Sequence, residues 1–143
     1  MKSREDRLSA DTVIRMGGWH PDYARVLVIE QSGDDALVLV DGNGDGAELE
    51  LEYWRRDADG NWDGTASSGY SALASLPSAD TWRAGPFVYA LGRSDPTSVV
   101  TIEYGGTSHR RQVNEFGIWG FIHEANSRRA DELPTVPSRR TSP

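Results

Sequence analysis

No cysteine occurs among the 143 residues, which excludes disulfides, thiolate nucleophiles and every cysteine-based zinc site. Lysine is almost missing too. One Lys stands beside fourteen Arg, a skew that points to a GC-rich bacterial coding genome rather than to a mechanism. Long apolar runs are lacking: the longest aliphatic stretches, residues 26–29 (VLVI) and 36–40 (ALVLV), are far short of a membrane span. No apolar stretch follows the charged residues 1–7, so no signal peptide is expected and a cytoplasmic location is the expectation. Neither G-x-x-x-x-G-K-[ST] nor a G-x-G-x-x-G opening a helix is present. The loop serines Ser32, Ser67, Ser68, Ser71 and Ser75 lie outside any G-x-S-x-G elbow. No nucleophilic catalytic set is therefore expected, and no catalytic residue is assigned.

What the chain does have is turn chemistry and acid. Fifteen Gly and seven Pro are too many for a helical bundle and suit a β-protein with many turns. Net charge is −7, and it is placed unevenly. Residues 30–63 hold eleven acids against Arg55 and Arg56, a local −9, which leaves +2 for the rest. Such an acidic stretch argues against nucleic acid, whose recognition needs phosphates neutralised by Lys and Arg. It suits a cation or a protein with a basic surface.

Periodicity then divides the chain. Residues 1–24 read as an irregular lead-in containing two helical turns, capped by Ser9 and stopped by Gly17-Gly18. Residues 25–80 read as a first β-meander. In it Leu49, Leu51 and Tyr53 alternate with Glu48, Glu50 and Glu52, and Asp57-Ala58-Asp59-Gly60 turns the chain back. The continuous apolar character of residues 26–29 and 36–40 predicts strands covered on both faces. The Gly-, Ser- and Ala-rich residues 63–80 read as a long loop. Residues 81–125 read as a second β unit, with a turn at Asp95-Pro96 and a tight hairpin at Gly105-Gly106. Residues 126–143 hold four Arg, three Pro and no aromatic, a composition that predicts a disordered tail.

The second half, from Phe87-Val88-Tyr89-Ala90-Leu91-Gly92-Arg93 to Gly117-Ile118-Trp119-Gly120-Phe121, resembles small immunoglobulin-like β modules of uncharacterised actinobacterial proteins. The segment around Trp54-Arg55-Arg56 and Asp59-Gly60-Asn61-Trp62 looks like the one that precedes such modules. The resemblance covers roughly residues 25–124. It implies an immunoglobulin-like second unit and an actinobacterial source, and it carries no activity or site residues.

Several candidate sites stand beside plainer readings. Asp41, Asn43, Asp45 and Gly46, followed by Glu52, fit the D-x-[DN]-x-[DN]-G-x5-E calcium pattern. The flanks read as strand, however, and Glu52 then sits too far along an extended chain to close a twelve-residue cage. The plainer reading is a solvated hairpin loop. Asp57 and Asp59 form a second acidic turn, and the two loops would share a calcium ion only if both lay at the same end of the sheet. His109 and His123 lie on strands that would pair, giving either a two-His site or two partly exposed polar positions. Eleven clustered acids also leave room for a carboxylate pair of hydrolytic type, which requires a concave pocket and one raised pKa.

The expectation is an all-β, mostly antiparallel β-sandwich built from two small β units, with a short N-terminal helical turn and a disordered C-terminal tail. Its expected role is that of a non-catalytic acidic protein-binding module, of inhibitor, immunity or adaptor type. Glu48, Glu50 and Glu52 would meet a basic partner protein, with no membrane or nucleic acid involved and no cofactor apart from calcium in the second reading. A calcium-dependent module using Asp41, Asn43, Asp45, Asp57 and Asp59 is the first alternative, and a carboxylate-pair hydrolase the second.

Overall fold

A computed structural model describes residues 7–137, the side chain of Ser68 excepted. The chain divides into two compact units, Met1–Pro77 and Ser78–Pro143. It is all-β and antiparallel, with one short α-helix among the described residues. No helix among the described residues is long and apolar enough to cross a membrane.

In the first unit, α1 (Ala10–Met16) begins where Ser9 Oγ accepts the Thr12 amide at 3.1 Å and ends at Gly17, whose N–H reaches the Val13 carbonyl. Four strands follow in meander order: β1 (Arg25–Ser32), β2 (Asp35–Asp41), β3 (Leu49–Arg56) and β4 (Trp62–Tyr70). Both edge strands, β1 and β4, contact α1. The edges of a flat four-stranded sheet are about 14 Å apart, so this sheet curls round its helix. Leu8 and Val13 pack there against Ala36, Val38, Val40, Trp54 and Trp62. Leu27, Leu37, Leu39, Leu49 and Leu51, on the opposite face, are equally withdrawn from water. β2 is thus buried on both faces, as its unbroken apolar run requires, whereas β1, expected to be covered likewise, is an edge strand in which only Leu27 is fully withdrawn from water.

β4 corrects the reading of residues 63–80 as one long loop. Its glycines and serines have low β-propensity, but packing makes small residues obligatory. A Cβ on Gly64 would lie 2.2 Å from the Trp54 ring. Tertiary fit sets this strand, with the indole of Trp54 occupying the space a side chain would need.

In the second unit, β5 (Asp80–Ala84), β6 (Phe87–Arg93) and β9 (Ile118–Glu124) form one sheet in the order β5-β6-β9. The hairpin β7 (Val99–Tyr104) and β8 (Thr107–Gln112) forms another. Val88 and Ala90 of β6, Trp119 and Phe121 of β9, and Ile102 and Tyr104 of β7 share one core with Val113. This two-layer arrangement is sandwich-like.

The tail also departs from expectation. Residues 126–137 lie along this unit. Thr135 bridges Glu103 in antiparallel pairing, Asn126 N–H donates to the Tyr104 hydroxyl at 2.6 Å, and Val136 packs on the core. Composition missed this because the segment builds no core of its own and borrows the exposed edge of β7 instead. The remainder of the expected disordered tail, residues 138–143, lies outside the described residues.

Candidate functional site

The acidic loop between β2 and β3 is built as an anion site that the chain fills itself. Asp41 closes β2 and is wholly buried. Its Oδ1 accepts the Gly44 amide at 3.0 Å, and its Oδ2 accepts the Gly46 amide and Arg25 Nη2, both at 2.9 Å. Backbone N–H groups converge on a carboxylate here, whereas a calcium loop makes carboxylates converge on a cation. Asp45 is likewise turned to its own loop, accepting from Ala47 N–H, and Asn43 is exposed.

The second acidic turn repeats this use. Asp57 Oδ1 accepts the amides of Asp59 and Asn61, each at 2.9 Å. The two loops cannot share an ion. One enters β3 and the other leaves it, so the eight-residue strand holds them about 26 Å apart. Among the described residues no group of three or more His, Asp or Glu is placed to hold a metal. The shared calcium site of Asp41, Asn43, Asp45, Asp57 and Asp59 is therefore corrected by meander topology.

The row of Glu48, Glu50 and Glu52 does not face water as a unit either. Glu48 is exposed, Glu50 is half-buried and Glu52 is buried. The cause is the strand register. Glu52 opposes Val38 and Glu50 opposes Val40, and both valines belong to the core under α1. Trp19 completes the cover. Its ring sits in a slot with Gly17 on one side and Gly42 on the other, and a Cβ on Gly42 would come within 2.5 Å of it. A buried carboxylate needs donors, and Glu52 has two indoles. Trp54 Nε1 donates to Oε1 at 2.8 Å, and Trp19 Nε1 donates to Oε2 at 3.2 Å.

Glu50 stands beside this clamp. Its hydrogen bond with Glu52, then burial, then the Glu52 charge push its pKa up to about 7. Two carboxyls that cannot both ionise at close range share a proton. β4 carries one extra residue opposite the span from Glu50 to Glu52, and a bulge of this kind bends a strand away from its partner. A hollow of about 450 Å³ opens there, lined by Trp19, Asn43, Glu48, Glu50, Ser67 and Tyr70 among others. That volume falls within the usual range for a binding pocket. Glu50 and Glu52 are in hydrogen-bond contact, closer than the roughly 5 Å or more that separates the acids of a glycosidase.

β8 and β9 do not pair but belong to different sheets, and His109 and His123 meet across them with ring centroids 5.2 Å apart between Tyr104 and Phe121. Burial, then the charges of His123 and Arg111, hold the His109 pKa below its usual value. Phe121 and Tyr104 surround the pair, and no carboxylate completes a metal set among the described residues.

Sequence reasoning missed the clamp formed by Trp19, Glu52 and Trp54. A signal was present: a strand apolar on both faces forces its neighbour's polar row inward. No family model matches this chain. Curated proteins and solved structures yield no match either.

Proposed function

We propose that the chain is a non-catalytic binding module whose first unit captures a basic side chain presented by a partner protein. The carrying observation is the 450 Å³ hollow that sets Glu48 and Glu50 against the rings of Trp19 and Tyr70. Carboxylates and aromatic faces are the two surfaces that hold a guanidinium or ammonium group: the first by charge-assisted hydrogen bonds, the second by cation–π attraction. A net charge of −8 on residues 1–77, from fifteen acids and seven bases, steers a basic partner toward this unit. The raised pKa of Glu50 makes capture pH-dependent, since only the ionised carboxylate pairs with a cation.

The test is an NMR titration with acetyl-Gly-Arg-Gly-amide, reading the Trp19 and Tyr70 resonances at about pH 8 and again at about pH 6, either side of the Glu50 step. Saturable shifts at the higher pH, weakened at the lower pH and by Glu50→Gln, are expected. Equal binding of the peptide with Gln in place of Arg, or equal binding by Glu50→Gln at the higher pH, would overturn the reading.

A further inference from the structure

The second unit carries a hollow of opposite character. It encloses about 590 Å³ and is lined by Arg93 at the end of β6, Arg110 on β8, Thr101 and Val100 of β7, Trp119 of β9 and Val136 of the C-terminal segment, together with Ser78 and Ser94. Its volume lies mid-range for small-molecule sites. In a chain of net charge −7, this lining holds, among the described residues, two guanidiniums and no acid. Asp95 and Glu115 belong to an adjacent hollow that shares Arg93 and Ser94.

The apolar surface is as deliberate as the charge. Trp119 is 2% exposed and belongs to the core. It reaches the hollow because position 92 is glycine: a Cβ there would meet the Trp119 ring at 2.6 Å and the Ser78 carbonyl oxygen at 2.1 Å. Val100 and Val136 pack on the same core and extend the apolar wall. Arg93 and Arg110 come from different sheets, so the two charges are held by separate rigid elements rather than by one mobile loop.

We infer that this hollow binds a small amphipathic anion, whose apolar body rests on Trp119, Val100 and Val136 while its phosphate or carboxylate group is held by Arg93 and Arg110. Guanidinium forks match the oxygen geometry of both groups. Ser78, Ser94 and Thr101 supply hydroxyls for any remaining oxygens. The site is independent of the Glu50 cleft and uses none of its residues.

Phenyl phosphate titrated into the full chain by calorimetry is the direct probe, with phenylacetate, inorganic phosphate and benzyl alcohol as comparisons. Binding of phenyl phosphate or phenylacetate in the range of about 1 mM or tighter is expected. The two together tell whether phosphate or carboxylate is preferred, and either preference supports the site. Loss of one charge-assisted contact in Arg110→Gln or Arg93→Gln should weaken binding about tenfold, while Glu50→Gln leaves it unchanged. Both arginines are exposed, so the melting midpoint of each variant should stay at the parent value. Four results would overturn the proposal: no heat with either aromatic anion, equal binding by the Arg93→Gln, Arg110→Gln double variant, equal affinity for inorganic phosphate, or equal affinity for benzyl alcohol.

Discussion

The two units solve the same problem, a polar group within a small β core, in opposite ways. The first unit buries a carboxylate and surrounds it with donors: Glu52 lies between the indoles of Trp54 and Trp19, and its neighbour Glu50 takes up a proton. The second half-buries His109 against His123, with the His109 pKa lowered by burial and by the charges of His123 and Arg111. Overall charge follows the same division. Residues 1–77 carry −8, and residues 78–143, with seven acids and eight bases, carry +1. Each unit's hollow has the sign of its own unit, so one chain presents an acidic aromatic cleft and a basic aromatic cleft. Tryptophan makes both possible, Trp19 as a wall in the first and Trp119 as a floor in the second.

The comparison breaks most sharply at the core tryptophans. Trp54→Ala and Trp119→Ala each remove a fully buried indole and should each cost about 3–5 kcal/mol in urea unfolding. Trp54→Ala should cost more, because it adds a carboxylate oxygen without its donor to a cavity of similar size. Equal costs would mean that the hydrogen bond to Glu52 contributes nothing.

Glu52→Gln comes next. The amide can accept from one indole only, and its NH2 then faces the other indole N–H. The expected loss is about 1–3 kcal/mol, the cost of an unsatisfied buried donor. An unchanged urea midpoint would show that Glu52 does not receive both indoles.

Smaller effects separate the units by pH. The folded-state pKa of Glu50 is raised, so the folded chain binds more protons than the unfolded chain between about 4.5 and 7. Its stability contribution is present below the unfolded value and is lost as pH rises through the folded one. The folded-state pKa of His109 is lowered from 6.5. Its contribution is therefore present above 6.5 and is lost as pH falls through the folded value. Urea midpoints measured across this range should decline less on the alkaline side in Glu50→Gln and less on the acid side in His109→Gln. The same slopes in parent and variants would remove the contrast.

The smallest change expected is a gain. Thr97 adopts φ = 68°, a left-handed conformation unfavourable for a β-branched residue. Thr97→Gly should raise stability by up to about 1 kcal/mol, limited by glycine's larger entropy loss. A fall in the melting midpoint would show that the threonine side chain holds the turn.

Much of the fold was legible because alternation and turn residues are local signals. The lead-in helix with its Ser9 cap, the meander to residue 56 and the hairpin at Gly105-Gly106 all lie where pattern placed them. Three features depended on distant partners and were not legible. β4 reads as loop because its small residues answer to Trp54 rather than to their own propensity. Residues 126–137 read as disordered because their partners, Glu103 and Tyr104, lie more than twenty residues away. Asp41 reads as a calcium ligand because a one-dimensional pattern does not distinguish a carboxylate that binds a cation from one that binds its own loop's amides.

The central claim is that Glu50 shares a proton with an indole-clamped Glu52. Its most direct test is an NMR titration that follows the Glu50 side-chain carboxyl carbon together with the Trp19 and Trp54 indole N–H signals. The account requires Glu50 to titrate at about 7, with both indole protons shifting at the same step because Glu52, their common acceptor, then loses the hydrogen bond from protonated Glu50. A Glu50 step near its ordinary value of about 4.5, with indole signals that do not follow it, would contradict the account.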